Sequence, residues 1–174
     1  MAPTMTSVDT RNVATALART PANIGLTVRA HKTVVEALNT LLADEYVLYT
    51  KTRNYHWNVT GPLFNDLHKF FEAQYTVLDE KIDAIAEFVR YTGEKVPASL
   101  QAFQGRTRLA EDAEPSNAAQ MVRNLLADHQ QVIVTLRKEI EAVDEAGAVD
   151  VADFLTGLLE EHEKMAWMLR AMAE

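Results

Sequence analysis

The stretch His56-Trp57-Asn58-Val59-Thr60-Gly61-Pro62, followed by a helical pattern carrying His68, Glu72, Asp83 and Glu87, decides how this chain is read. Gly61-Pro62 divides it, because glycine suits the end of one helix and proline the first turn of the next. The two histidines and three carboxylates are spaced twelve, four, eleven and four residues apart. Iron, manganese and zinc all accept such a mixture of imidazole and carboxylate ligands.

Working outward, Val28, Val34, Val35, Leu38, Leu41, Leu42, Tyr46, Leu48 and Tyr49 recur at intervals that predict an amphipathic helix, capped by Thr27 and ending near Trp57. A second helix is predicted from about Leu63 to Tyr91, closed by Thr92-Gly93. Its apolar positions include Leu67, Phe70, Phe71, Ala73, Tyr75, Leu78, Ile82, Ile85 and Val89. The connection from Glu94 to Pro115 is too long for a tight turn, and Ala98 to Phe103 is a candidate short helix within it. Ser116 is the expected cap of a third helix, which carries Met121, Leu125, Val132, Leu136, Ile140 and Val143 and stops at Gly147. A fourth runs from about Val149 to Met172. Four long helices joined by short, long and short connections predict an all-α, ferritin-like four-helix bundle with a short extra helix in the crossover. Residues 1–26 show no sustained period and are expected to form an N-terminal arm before a domain over 27–174.

A single domain of 174 residues buries a sizeable core without staples, and there is no cysteine to supply them. A cysteine-free chain suits a reducing compartment. The N-terminus has only Arg11 and Arg19 as bases and no continuous apolar core, unlike a secretory signal, and no apolar run is long enough to span a membrane. A cytoplasmic location is expected. A formal net charge of −8 and a pI of about 5.1 favour cations over polyanions. The chain has no Gly-rich phosphate loop, no G-x-S-x-G and no zinc-finger spacing.

On an ideal helix His68, Glu72, Asp83 and Glu87 fall within a sector of roughly 100° and share one face. Along the axis, however, His68 and Glu87 are about 28 Å apart and Glu72 and Asp83 about 16 Å apart. One helix cannot bring all four to one ion. A second copy packed antiparallel about a two-fold axis near Thr76 to Leu78 would set His68 and Glu72 of one chain against Asp83 and Glu87 of the other, with His56 completing each half. The competing interpretation is a solvated face carrying i,i+4 charge pairs, to which Lys69, Glu80 and Lys81 belong. His68 adds an asymmetry that such a face does not need.

The run from Lys51 to Pro62, followed by Leu67-His68, Glu72 and Asp83-Ala84-Ile85-Ala86-Glu87, resembles the Dps family, the DNA-binding proteins from starved cells, and the likeness extends over about residues 27–172. The resemblance implies a hollow homo-dodecamer that oxidises Fe(II), preferentially with hydrogen peroxide, at sites between two-fold-related subunits. It also implies storage of the ferric product as mineral, which protects against oxidative stress. On this carry-over His56, His68 and Glu72 come from one subunit and Asp83 and Glu87 from its partner, with Trp57 beside the metals. Zinc or manganese could stand in the place of iron. Glu72 occupies a position where many members have Asp, which keeps the carboxylate and lengthens its reach. The chain has no Glu-x-x-His, the motif of the intrasubunit centre in larger ferritins.

Asp150, Asp153 and Glu163 resemble positions that line the three-fold pores of such cages, as candidates for iron entry; Asp150 and Asp153 could equally complement a helix N-terminus. His31, His129 and His162 have no comparable partner pattern and are expected at the surface or an interface, with a secondary metal site as the minor alternative. Trp167, Met165, Met168 and Met172 are expected to pack in the core or an interface. The chain departs from the family name in its tail: there is no lysine before Lys32. Weak or absent DNA binding is expected, since phosphate neutralisation dominates such affinity. The competing functions are a nucleoid-compacting DNA-binding structural protein with a secondary metal site, and a plain helical bundle that binds nothing.

Overall fold

Thr27 starts the first long helix as expected: its backbone is extended and its Oγ1 accepts the Ala30 N–H at 3.2 Å. The computed structural model describes residues 22–115 and 117–173, so Ser116 and residues 1–21 of the expected arm lie outside the described residues. Helix α1 spans Val28–Asn58, α2 Phe64–Tyr91, α3 Leu100–Gln104, α4 Ala118–Glu145 and α5 Val149–Ala173. The described residues contain no strand. The turn between α1 and α2 needs Gly61 at φ 105°, and the turn between α4 and α5 needs Gly147 at φ 79°, both in the region that side chains disfavour.

Two antiparallel hairpins, α1–α2 and α4–α5, close on each other through a shared apolar core. Leu38, Leu41, Leu48 and Tyr55 of α1, Phe71, Leu78 and Ile85 of α2, Leu125 and Leu136 of α4, and Leu155 and Leu158 of α5 are essentially sealed from solvent. Removing that apolar area from water drives assembly of the bundle. The short α3 sits in the crossover against α1, with Ser99 Oγ accepting the Ala102 N–H at 3.1 Å and Phe103 stacked on Tyr46 at 4.4 Å between ring centres.

Several expectations need correction. Val28 is 90% exposed because it occupies the first turn, beyond the reach of the second hairpin. Ala73 is also exposed. The third helix is capped by Asn117, whose Oδ1 accepts the Gln120 N–H at 2.9 Å. His129 and His162 are wholly buried, not at the surface. They replace apolar residues in the stripes Leu125–His129–Val132 and Leu158–His162–Met165, and the helical period carries them inward. His31 is half-buried, and its Nε2 donates to the Thr92 carbonyl at 2.9 Å, tying the start of α1 to the end of α2. Met165 belongs to the core, whereas Trp167, Met168 and Met172 are exposed on the subunit.

The crossover is held by buried polar contacts. Asp44, on α1, accepts Thr107 Oγ1 at 3.0 Å, the Arg108 N–H at 2.6 Å and Arg108 Nε at 2.7 Å. Arg108 reaches on to Glu139 of α4 at 2.9 Å. Farther along, Asp112 accepts the Tyr55 hydroxyl at 2.5 Å and Asn124 Nδ2 at 3.1 Å. Burial and this acidic partner push the Tyr55 phenol well above its ordinary pKa, so it remains a donor at any working pH. Replacing Asp44 with Ala removes the acceptor of three donors, two of them on the solvent-accessible Arg108, and should destabilise the fold by about 2 kcal/mol, read as a lowered urea midpoint. A loss of under about 1 kcal/mol would show that the crossover is held elsewhere.

Candidate metal centre

His56 and His68 meet because α1 ends and α2 begins beside each other across a five-residue link. The Val59 N–H closes α1 on the Tyr55 carbonyl at 2.9 Å, and the Phe64 N–H returns to the Gly61 carbonyl at 3.0 Å. His56 Nδ1 lies 2.8 Å from the His68 carbonyl, and His68 Nδ1 lies 2.8 Å from the His56 carbonyl. A carbonyl can only accept, so both Nδ1 atoms carry hydrogen, and in the neutral rings the lone pair of each sits on Nε2. This is the tautomer a metal-ligating imidazole needs, with its other ring nitrogen anchored. The rings stack at 3.7 Å, Phe64 covers His68 at 5.1 Å, and Tyr75 meets His56 edge-on at 5.2 Å.

The carboxylates lie where helical rise puts them. Glu72, Asp83 and Glu87 are exposed along α2, and no three His, Asp or Glu side chains among the described residues converge on one point that could hold a metal. One subunit brings His56 and His68 together and leaves Asp83 and Glu87 far down the same helix. Trp57 is 63% exposed beside the histidines.

An aromatic cluster around Arg53 was not foreseen from sequence. Its guanidinium lies 4.9 Å from the Trp57 ring centre, 5.0 Å from Tyr75 and 5.5 Å from Tyr49, and donates to the Tyr49 hydroxyl at 2.6 Å. That hydrogen bond, more than anything else, raises the already high pKa of Arg53. The signal was present in the i,i+4 ladder Tyr49–Arg53–Trp57, which places all three side chains on one face. The cation steadies the exposed indole next to the histidines.

Of the pore candidates, Asp150 and Asp153 are exposed at the start of α5, and Asp150 lies in its first turn. Glu163 is engaged by Arg137 on the surface of the subunit.

The ferritin-like domain model matches residues 35–174. An uncharacterised low temperature-induced protein of Nostoc is 47% identical over 154 residues, which are 87% of this chain and 86% of that protein. The DNA protection during starvation protein 2 of Bacillus anthracis is 38% identical over 141 residues, 81% of this chain and 97% of the relative. A Dps protein from Bacillus brevis superposes with a TM-score of 0.82 at 34% identity, covering 86% of this chain and all of that one. The Dps protein of Vibrio cholerae, described as a member of a broad superfamily of ferritin-like diiron-carboxylate proteins, superposes with a TM-score of 0.84 at 29% identity, covering 89% and 98%. A matching domain over most of the chain, close relatives spanning four-fifths of it and the same helical architecture together place it in the ferritin-like Dps family.

Proposed function

We propose that this protein stores iron and protects against its reactivity as a homo-dodecameric Dps ferroxidase that oxidises Fe(II), preferentially with hydrogen peroxide. The observation that carries the proposal is the crossed anchoring of His56 and His68, which stacks the two rings and, in their neutral form, puts each lone pair on Nε2. Membership of a family with diiron-carboxylate relatives supports the same chemistry.

In this proposal His56, His68 and Glu72 of one subunit and Asp83 and Glu87 of the partner subunit hold Fe(II) as substrate. The imidazoles bind without giving up a proton, and the carboxylates offset the charge that rises as each iron loses an electron. Two irons supply the two electrons that one peroxide needs to become two waters, with two protons taken up. No single-electron product is released. The separation of about 16 Å between Glu72 and Asp83 along α2 explains why a second copy is needed. Zinc or manganese would fit the same ligands. Asp150, Asp153 and Glu163 supply negative potential for cation entry, with Glu163 shared with Arg137.

His68→Ala and Asp83→Ala should each slow peroxide-driven Fe(II) oxidation at least tenfold while light scattering still reports a cage of unchanged mass. Absorbance of the ferric product follows the rate; wild-type kinetics in both variants would reject the site.

Weak or absent DNA binding follows from the net charge of −8 and from a chain whose first lysine is Lys32. A gel shift at about 150 mM salt should leave duplex DNA free. Retention of duplex there would favour a DNA-compacting protein with a secondary metal site.

A further inference from the structure

Three wholly buried ionisable side chains, none of them near the His56–His68 pair in sequence, meet in the middle of the bundle. Glu45 comes from α1, His129 from α4 and His162 from α5, and each is 0% exposed. His162 Nε2 lies 2.9 Å from Glu45 Oε1, and the two Nδ1 atoms of His162 and His129 lie 3.0 Å apart. The first contact lies off the N–H axis, so it is a close electrostatic contact and not an aligned hydrogen bond; Glu45 Oε2 and His129 Nε2 find no partner among the described residues.

Two nitrogens 3.0 Å apart share one hydrogen. With a carboxylate oxygen beside His162 Nε2, that nitrogen carries a hydrogen, His162 Nδ1 accepts, and His129 Nδ1 donates. His129 Nε2 is then a bare lone pair in a dry core. The chain of contacts is linear, which makes it a poor cage for a metal and a good track for fixing one protonation state.

We propose that Glu45, His162 and His129 form an acid-sensitive latch between α1 and the α4–α5 hairpin, closed while His129 is neutral and opened when a proton from solvent reaches His129 Nε2. The resulting imidazolium would have no hydrogen-bond partner at Nε2 and no aligned anion. The other charged groups nearby are committed elsewhere: Asp44 to Arg108, and Asp128 to Lys51 at 2.6 Å. The buried faces of α2 and α3 carry no titratable side chain.

Burial first, and His162 second, hold His129 well below the ordinary histidine range. In the unfolded chain His129 titrates near its usual value of about 6.5. A group whose pKa is lower in the fold supports stability fully above the unfolded value, and the loss grows as pH falls below it.

The test is chemical unfolding of the full-length protein from pH 8 to pH 5, comparing wild type with His129→Met, which keeps bulk and removes titration. Below about pH 6.5 the wild-type unfolding constant should rise up to about tenfold more per pH unit than that of His129→Met. Parallel profiles would overturn the latch. NMR of ring-labelled histidine gives the same answer should His129→Met fail to fold: the His129 signals should stay neutral until native signals vanish. Titration of His129 near 6.5 in intact protein would overturn the proposal.

Discussion

The crossed contact between His56 and His68 is the constraint on which most of this structure turns. Each ring uses Nδ1 to satisfy the other residue's backbone carbonyl, at 2.8 Å in both directions. The His68 carbonyl lies in the second turn of α2 and the His56 carbonyl in the last turn of α1, so the pair staples the hairpin at its linked end. It also sets the register. Tyr55 against Phe71 and Tyr49 against Tyr75 follow in antiparallel steps, each about 6 Å between ring centres. One arrangement therefore fixes helix pairing, imidazole tautomer and the direction of two lone pairs. A backbone carbonyl is a rigid anchor, because it moves only if the helix moves.

Polar groups within the bundle are handled in two ways. Near the crossover they are fully paired: Asp44 takes three donors, and Lys51 meets Asp128, whose carboxyl burial pushes up while the ammonium pulls it down. Such pairs add little net stability against apolar replacements, yet breaking one partner is costly, so they specify where the connection lies more than they strengthen the fold. At the level of Glu45, His129 and His162 the pairing is incomplete, with lone pairs left over. Incomplete satisfaction in a dry core is expensive. A sequence that places three such residues at core positions of three helices tolerates that expense, which is why the cluster invites a functional explanation.

Much of the architecture was legible because helical periodicity and turn residues are local signals. Thr27, Gly61-Pro62, Gly93 and Gly147 mark ends that the structure reproduces within a residue or two. The His56 and His68 pairing was visible as a spacing, but the crossed carbonyl bonds were not, since they depend on how tightly the five-residue link folds. The misjudged residues fail for a shared reason. His129 and His162 look like surface residues by type, and Val28 looks like core by type, yet position in the helical stripe outranks chemical type in deciding burial. The sequence alone places Arg53 one turn before Trp57; its three aromatic neighbours include Tyr75, which only the hairpin brings in.

Helical rise explains why this chain keeps Asp83 and Glu87 so far from its histidines. Packing Asp83 and Glu87 against His56 within one chain would require α2 to fold back on itself, and its buried stripe from Leu67 to Val89, apolar but for Gln74, runs along the core. The stripe needs a straight helix, and a straight helix at 1.5 Å per residue cannot close the site. On the proposed function the same acidic residues, exposed and strung along one face, would serve the histidines of a two-fold mate. If the proposed site is right, core packing and site geometry make opposite demands on α2, and a symmetric second copy would satisfy both without bending it.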